Sequence, residues 1–305
     1  MVKKSKPSMK SRLFVAPLMV MLLLGSTRSK AQRTDTTKKP LLASLKKKSG
    51  KEYIVRPANV EFPEILKGNE EKTLDYIERF SESRRAYILR MHAKGRKLLP
   101  QAATIFQKYD LPTELTVLLT LESAYNANAV SKAGAVGYWQ IMDEVAKEYG
   151  MRYVAQLSMA EKRKVLKAAN KKKQKKGQKI NRVDDRKNFK IATHTAGRYL
   201  RDRRRNLDDN WLLVVASYNC GIGNVWQAMK RSGKTNPDFW DIKKYLPAET
   251  QSYVMNFITL NVLFHNYELF AKNQLNFKPE KIIIPANLDE VSTETAEEFI
   301  GPDPR

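Results

Sequence analysis

A chain of 305 residues, 42% of them hydrophobic, can bury a substantial core and reads as a globular protein with extensions at its ends. Its 56 Lys and Arg against 32 Asp and Glu leave a formal charge of +24, a field that draws in anionic polymers such as nucleic acid, anionic membrane surface or bacterial cell wall. The single cysteine, Cys220, excludes an intramolecular disulfide, so packing must hold the fold.

In chain order, residues 1–31 read as a signal peptide, with a basic start, an apolar run from about Leu13 to Leu24, and a small-residue exit at Ser29-Lys30-Ala31. Its removal would take seven basic residues and lower the charge from +24 to +17. An exported chain seldom meets nucleic acid, so no nucleic-acid partner is expected, and wall or lipid remains. Residues 32–59 are polar and lysine-rich and are expected to form a flexible basic linker. Residues 60–109 carry apolar residues at helical spacing, punctuated by Gly95 and Pro100 into two or three helices of an N-terminal extension.

Asp110-Leu-Pro112 supplies a cap and a first-turn proline for the next helix, which opens a domain over 110–270. A loop of small residues follows from Asn126 to Met142, and helical character returns from Asp143. Residues 158–182, dominated by lysine, read as a solvated excursion, and Asp184-Asp185-Arg186 as solvated or capping groups. KNFKIATHTAGRYLRDRRR and NWLLVVASYN predict two helices, the second apolar enough to be central. A loop from Asn219 to Asn224 leads onward, and Pro247 precedes the last long helix. The tail, 271–305, holds one short β-like run and then turns acidic. The chain shows no repeat and no strand-rich module, so the expected architecture is all-α.

Three short segments break the helical rhythm. Leu115, Leu118 and Leu119 fall at i, i+3 and i+4, and the same stripe meets Glu122 at i+7. A carboxylate on an inward face must find a partner or hold its proton. Glu122-Ser123 is followed by Gly137-Tyr-Trp-Gln140-Ile141, in which glycine lets backbone approach a ligand, and by Ala216-Ser-Tyr218-Asn219-Cys-Gly221, in which glycine suits a helix end. Trp139 is either a sugar-stacking ring or a core residue behind its loop. His92, His194 and His265 lack ligand spacing, so no metal is expected.

In that order, and followed as in the family pattern by Glu249-Thr-Gln-Ser-Tyr253-Val, the three segments resemble the transglycosylase SLT domain, the goose-type-lysozyme-like family of lytic murein transglycosylases, and most of all its membrane-bound lytic transglycosylase D branch. The resemblance runs over about residues 60 to 270. It implies a lysozyme-like helical domain, and Glu122 as a sole catalytic acid/base cleaving the bond between N-acetylmuramic acid and N-acetylglucosamine in peptidoglycan. It also implies substrate contacts from Ser123, Gln140, Tyr218, Asn219 and Tyr253, with Ser123 and Gln140 bonding sugar or the carboxylate and Tyr253 along the cleft wall. No cofactor is expected, and the expected location is the periplasm or cell envelope. The lysine-rich excursion departs from the family and is expected to touch an anionic wall or membrane surface. Two rivals stand beside this reading: a hydrolase of the same fold using Asp143 or Glu144 to hold water, and a glycan-binding protein without turnover.

Overall fold

The computed structural model describes residues 46–48, 51–155 and 183–283; the expected signal peptide and the lysine-rich 158–182 lie outside them. Two compact units divide the chain, 1–42 and 43–305, and every described residue belongs to the second. Eleven α-helices are found among the described residues, so the all-α expectation holds for the bulk of the unit.

The N-terminal extension is three helices, α1 (Glu70–Ser83), α2 (Arg85–Gly95) and α3 (Leu98–Gln107). Pro100 does not interrupt α3. It sits in the first turn, where its missing N–H would have had no helical partner. A 3-10 turn, Thr113–Val117, starts after Pro112 and runs straight into α4 (Leu118–Ser123), burying Leu115, Leu118 and Leu119 completely. After the loop comes α5 (Asp143–Glu148), and beyond 183 come α6 (Phe189–Asn206) and α7 (Trp211–Cys220). Both later helices are capped by asparagine: Asn188 Oδ1 accepts from the Ile191 N–H, and Asn210 Oδ1 from the Leu213 N–H.

The Leu212–Ser217 run of α7 is buried at every position, which makes this helix the centre of the core. Gly221 alone separates α7 from α8 (Ile222–Ser232). Its φ of 79° with ψ of 151° belongs to a region that side-chain-bearing residues avoid. The loop expected at 219–224 is therefore one residue, and Asn219 stands in the last turn of a helix. The short α9 (Phe239–Ile242) begins with a reciprocal cap between Asp238 and Asp241. Then α10 (Ala248–His265), entered through Pro247, packs its Val254, Phe257, Ile258 and Val262 into the core against α7 and α1, before α11 (Tyr267–Ala271).

A small antiparallel sheet is added to this helical body. Strands β1 (Lys46–Lys48), β2 (Lys51–Arg56) and β3 (Glu280–Ile283) lie in the order β1-β2-β3, with Tyr53 opposite Ile283 and Arg56 opposite Glu280. Part of the stretch expected as linker is thus strand. Its Tyr-Ile-Val run suits a pleated surface, and its partner is the isoleucine run of the tail. Among the described residues no helix is long and apolar enough to cross a membrane.

Candidate active site

Glu122 ends the buried leucine stripe of α4 and is half-buried. Burial pushes its carboxyl up from the ordinary 4.5 to about 7, against the pull of a hydrogen bond from Tyr253 and with a further push from the charge of Glu249. The Tyr253 hydroxyl donates to Glu122 Oε1. Burial, and then the Glu122 charge, raise the Tyr253 and Tyr218 phenols well above their usual range, so both remain donors.

The backbone behind Glu122 is strained. Ala124 and Tyr125 both have positive φ, 47° and 65°, which costs roughly 1–3 kcal/mol each. Three contacts hold this kink in place. Lys94 Nζ donates to the Ala124 carbonyl at 2.9 Å, the Tyr125 hydroxyl shares a 2.7 Å bond with Thr120 Oγ1, and Ser123 Oγ donates to the Tyr138 carbonyl at 2.7 Å.

That last bond ties Glu122 to the second segment. The 137–141 loop is folded by its own backbone: Gly137 N donates to the Ala129 carbonyl, while Val136 and Ile141 exchange both bonds at 3.1 Å. Gln140, at φ 45°, turns its amide Nε2 inward to the carbonyls of Gly137 and Ala129. Trp139 is fully buried, donates Nε1 to Thr193 Oγ1 at 2.9 Å and packs on Phe106, so it is the core residue and not a stacking platform. The third segment closes on the same loop, because the Tyr218 hydroxyl donates to the Trp139 carbonyl at 2.7 Å. Asn219 Oδ1 accepts from Thr250 Oγ1 at 2.8 Å, fastening the end of α7 to the start of α10.

Of the residues singled out in the sequence, Tyr253 bonds the Glu122 carboxyl directly and Tyr218 is near enough for the Glu122 charge to raise its phenol, whereas Gln140 bonds its own loop and Asn219 bonds Thr250. Ser123, Gln140, Tyr218 and Asn219 have hydrogen bonds to backbone or to a neighbouring side chain. A hollow of about 70 Å³ beside them is lined by Gln140, Ile141, Met142, Tyr199 and Tyr218.

Of the two readings of Asp184-Asp185-Arg186, capping holds and solvation does not: Asp184 Oδ1 accepts from the Arg186 N–H at the start of a 3-10 turn, while Arg186 is completely buried and Asp184 and Asp185 are nearly so. Arg186 donates to Asp184, to Asp143 and to the carbonyls of Ile141 (3.3 Å) and Val154 (2.8 Å). Its own carbonyl lies 2.0 Å from where a Cβ on Gly137 would stand, at a glycine whose φ is 83°. No local signal marks this cluster, since an Asp-Asp-Arg triplet reads the same buried or exposed. Among the described residues no group of His, Cys, Asp and Glu could hold a metal ion.

The family model for the transglycosylase SLT domain matches residues 102–171 and 163–240, which span Glu122, Ser123, Gln140, Tyr218 and Asn219. Over these residues the chain is similar to the transglycosylase SLT domain family. Over 168 residues it is 29% identical to the membrane-bound lytic murein transglycosylase D of Escherichia coli K12, covering 54% of this chain and 31% of that protein. The chain thus spans about a third of the curated relative it matches. Among solved structures, the lytic transglycosylase Slt of Pseudomonas aeruginosa is similar at 19% identity and TM-score 0.39, over 60% of this chain and 25% of the other. The 70 kDa soluble lytic transglycosylase of Escherichia coli is similar at 20% identity and TM-score 0.39, over 57% and 25%. Tyr253 lies beyond the residues matched by the SLT model, on α10, from which its hydroxyl reaches Glu122.

Proposed function

We propose that the protein is a peptidoglycan lytic transglycosylase in which Glu122 acts alone as acid and then base. The observation that carries this reading is a half-buried carboxyl whose pKa stands at about 7, so that much of it holds a proton at neutral pH. Glu122 would give that proton to the oxygen between N-acetylmuramic acid and N-acetylglucosamine as the C1–O bond breaks. The carboxylate left behind, steadied by the Tyr253 hydroxyl, would take the proton of the sugar's own 6-hydroxyl as that oxygen bonds to C1. The muramic end becomes a 1,6-anhydro ring and no water is consumed. Ser123, Gln140, Tyr218 and Asn219 would shape the cleft that receives the sugars.

A hydrolase would need a second carboxylate to hold water. Asp143 is poorly suited, being ion-paired to the buried Arg186, and Glu144 is exposed. One observation favours this second reading: Glu249 lies close enough to push up the Glu122 pKa. Mass spectrometry of digested sacculi separates the two. Anhydro ends support the transglycosylase and reducing ends the hydrolase, while binding without released muropeptides would leave only a glycan-binding protein.

An envelope location fits the expected signal peptide and the name of the Escherichia coli relative, membrane-bound lytic murein transglycosylase D. The lysines of 158–182 would hold the protein against anionic wall or lipid. Neutralising Lys171, Lys172, Lys173, Lys175 and Lys176 should then weaken sedimentation with sacculi at low salt, and unchanged sedimentation would reject that role.

A further inference from the structure

A second recess, of about 430 Å³, opens at the N-terminal end of α10 and is lined by Lys234, Trp240, Lys243, Lys244, Tyr245 and Gln251, with Asp241 in its wall. Its cations are arranged on aromatic rings. The ammonium groups of Lys243 and Lys72 each stand 5.3 Å from the Trp240 centroid. Lys244 and Arg231 stand 5.0 and 5.2 Å from that of Tyr245. Trp240 is itself anchored, donating Nε1 to Asn69 Oδ1 at 2.7 Å. Ring faces hold cations in place without neutralising them.

The one acid in the wall is already engaged, because Asp241 accepts from Lys234 and from the Asp238 N–H that closes the α9 cap. Among the described residues no carboxylate forms an ion pair with Lys72, Arg231, Lys243 or Lys244. A recess with aromatic walls and such an excess of positive charge concentrates anions and favours carboxylates that several ammonium groups can share.

Its position relative to Glu122 gives it a use. Gln251 lines the recess and donates Nε2 to the Leu246 carbonyl at 2.9 Å, whereas Glu249 and Tyr253 share the other side of α10, the side that meets Glu122. Between the two flanks the helix end is open, with Pro247 and Ala248 exposed. An extended peptide advances about 3.3 Å per residue, so three or four residues cross roughly 10–13 Å, about the width of a helix.

We propose that this recess is a subsite for the acidic peptide branches of the glycan, in which Lys243 and Lys244 take branch carboxylates while the sugar backbone lies at Glu122. The proposal rests on the reading of Glu122 as a glycan-cleaving residue, and it makes the enzyme prefer strands that still carry their peptides.

The test compares wild type with the double variant Lys243→Ala/Lys244→Ala, both as full chains, on glycan strands bearing peptides and on the same strands stripped by an amidase. Exposed ion pairs contribute modestly, so the variant should raise KM on peptide-bearing strands about fivefold, with KM on stripped strands and both kcat values within about twofold of wild type. An unchanged preference for peptide-bearing strands would overturn the subsite. A second readout does not need turnover: a synthetic acidic tetrapeptide added to Glu122→Gln protein should shift the Trp240 indole N–H resonance, and the lysine changes should abolish the shift. A shift without cleavage by wild type would uphold the subsite and reject the reading of Glu122; no shift would reject the subsite. If the double variant loses binding to phosphatidylglycerol vesicles but keeps its peptide preference, the recess serves lipid instead and the proposal falls.

Discussion

The Tyr253 hydroxyl donates its hydrogen bond to Oε1 of Glu122, a residue 131 positions earlier in the chain. One helical turn before Tyr253 on the same helix, Glu249 pushes the same carboxyl the other way. The first two turns of α10 thus carry opposed controls on the protonation of one side chain. The hydroxyl favours the ionised carboxylate, and the neighbouring negative charge disfavours it.

Removing the hydroxyl should move the proton affinity of Glu122 upward. Tyr253→Phe is expected to shift the alkaline limb of the pH–rate profile to higher pH. It should also lower kcat by about ten- to a hundredfold, because the carboxylate formed in the first step loses a charge-assisted hydrogen bond. An alkaline limb that stays in place or moves to lower pH would contradict this assignment.

Glu249→Gln should act in the reverse direction. Without the nearby charge the Glu122 pKa falls, and the alkaline limb should move to lower pH with less active protein at pH 7. Steady-state rates between pH 5 and 9 check both variants in one series. Complete loss of turnover in Glu249→Gln, with its fold intact, would instead favour Glu249 as a second chemical participant and the hydrolase reading.

The raised pKa of Glu122 also bears on stability. An acid whose pKa is higher in the folded state stabilises the fold through its proton, so that stability declines as pH rises from about 4.5 and levels off above about 7. The full shift corresponds to about 3 kcal/mol as an upper bound, at about 1.4 kcal/mol per pH unit, and solvent reaching the half-buried group reduces it. Glu122→Gln removes the ionisation. Its melting temperature relative to wild type should therefore be higher at pH 8 than at pH 5, and a gap independent of pH would count against the buried acid.

The Arg186 cluster should prove costly to disturb. Arg186→Met leaves Asp184 and Asp143 without their shared cation and should destabilise the fold by about 3–5 kcal/mol. Gly137→Ala puts a Cβ against the Arg186 carbonyl at a positive φ, for an expected loss of more than about 2 kcal/mol. Urea denaturation measures both. A loss below 1 kcal/mol in either would show that the loop is not held as described.

Much of this was legible in the sequence where the signal is local. The Leu115, Leu118 and Leu119 stripe marked a buried helix face and singled out Glu122 as a polar intruder. Gly221 marked the end of the apolar α7, and Pro247 the start of α10. What local pattern could not supply was pairing across distance. Nothing near Tyr253 indicates that its hydroxyl reaches Glu122, and nothing near Tyr53 announces a strand partner 230 positions later at Ile283. Burial of charge was equally hidden, since Asp184, Asp185 and Arg186 read as a cap or a solvated turn, and only the cap at Asp184 is found once Asp143, Ile141 and Val154 are seen around the guanidinium. Nor does any local signal show that the Gln140 amide nitrogen bonds the backbone of its own loop.

The most direct test of the central claim is titration of the Glu122 carboxyl itself. Carbon-13 NMR of protein labelled at glutamate side chains, with the resonance assigned by its absence in Glu122→Gln, reports that one group. A midpoint at about 7 is expected. A midpoint near the ordinary 4.5 would mean that Glu122 is ionised at neutral pH and has no proton to deliver, and the account of the site would be wrong.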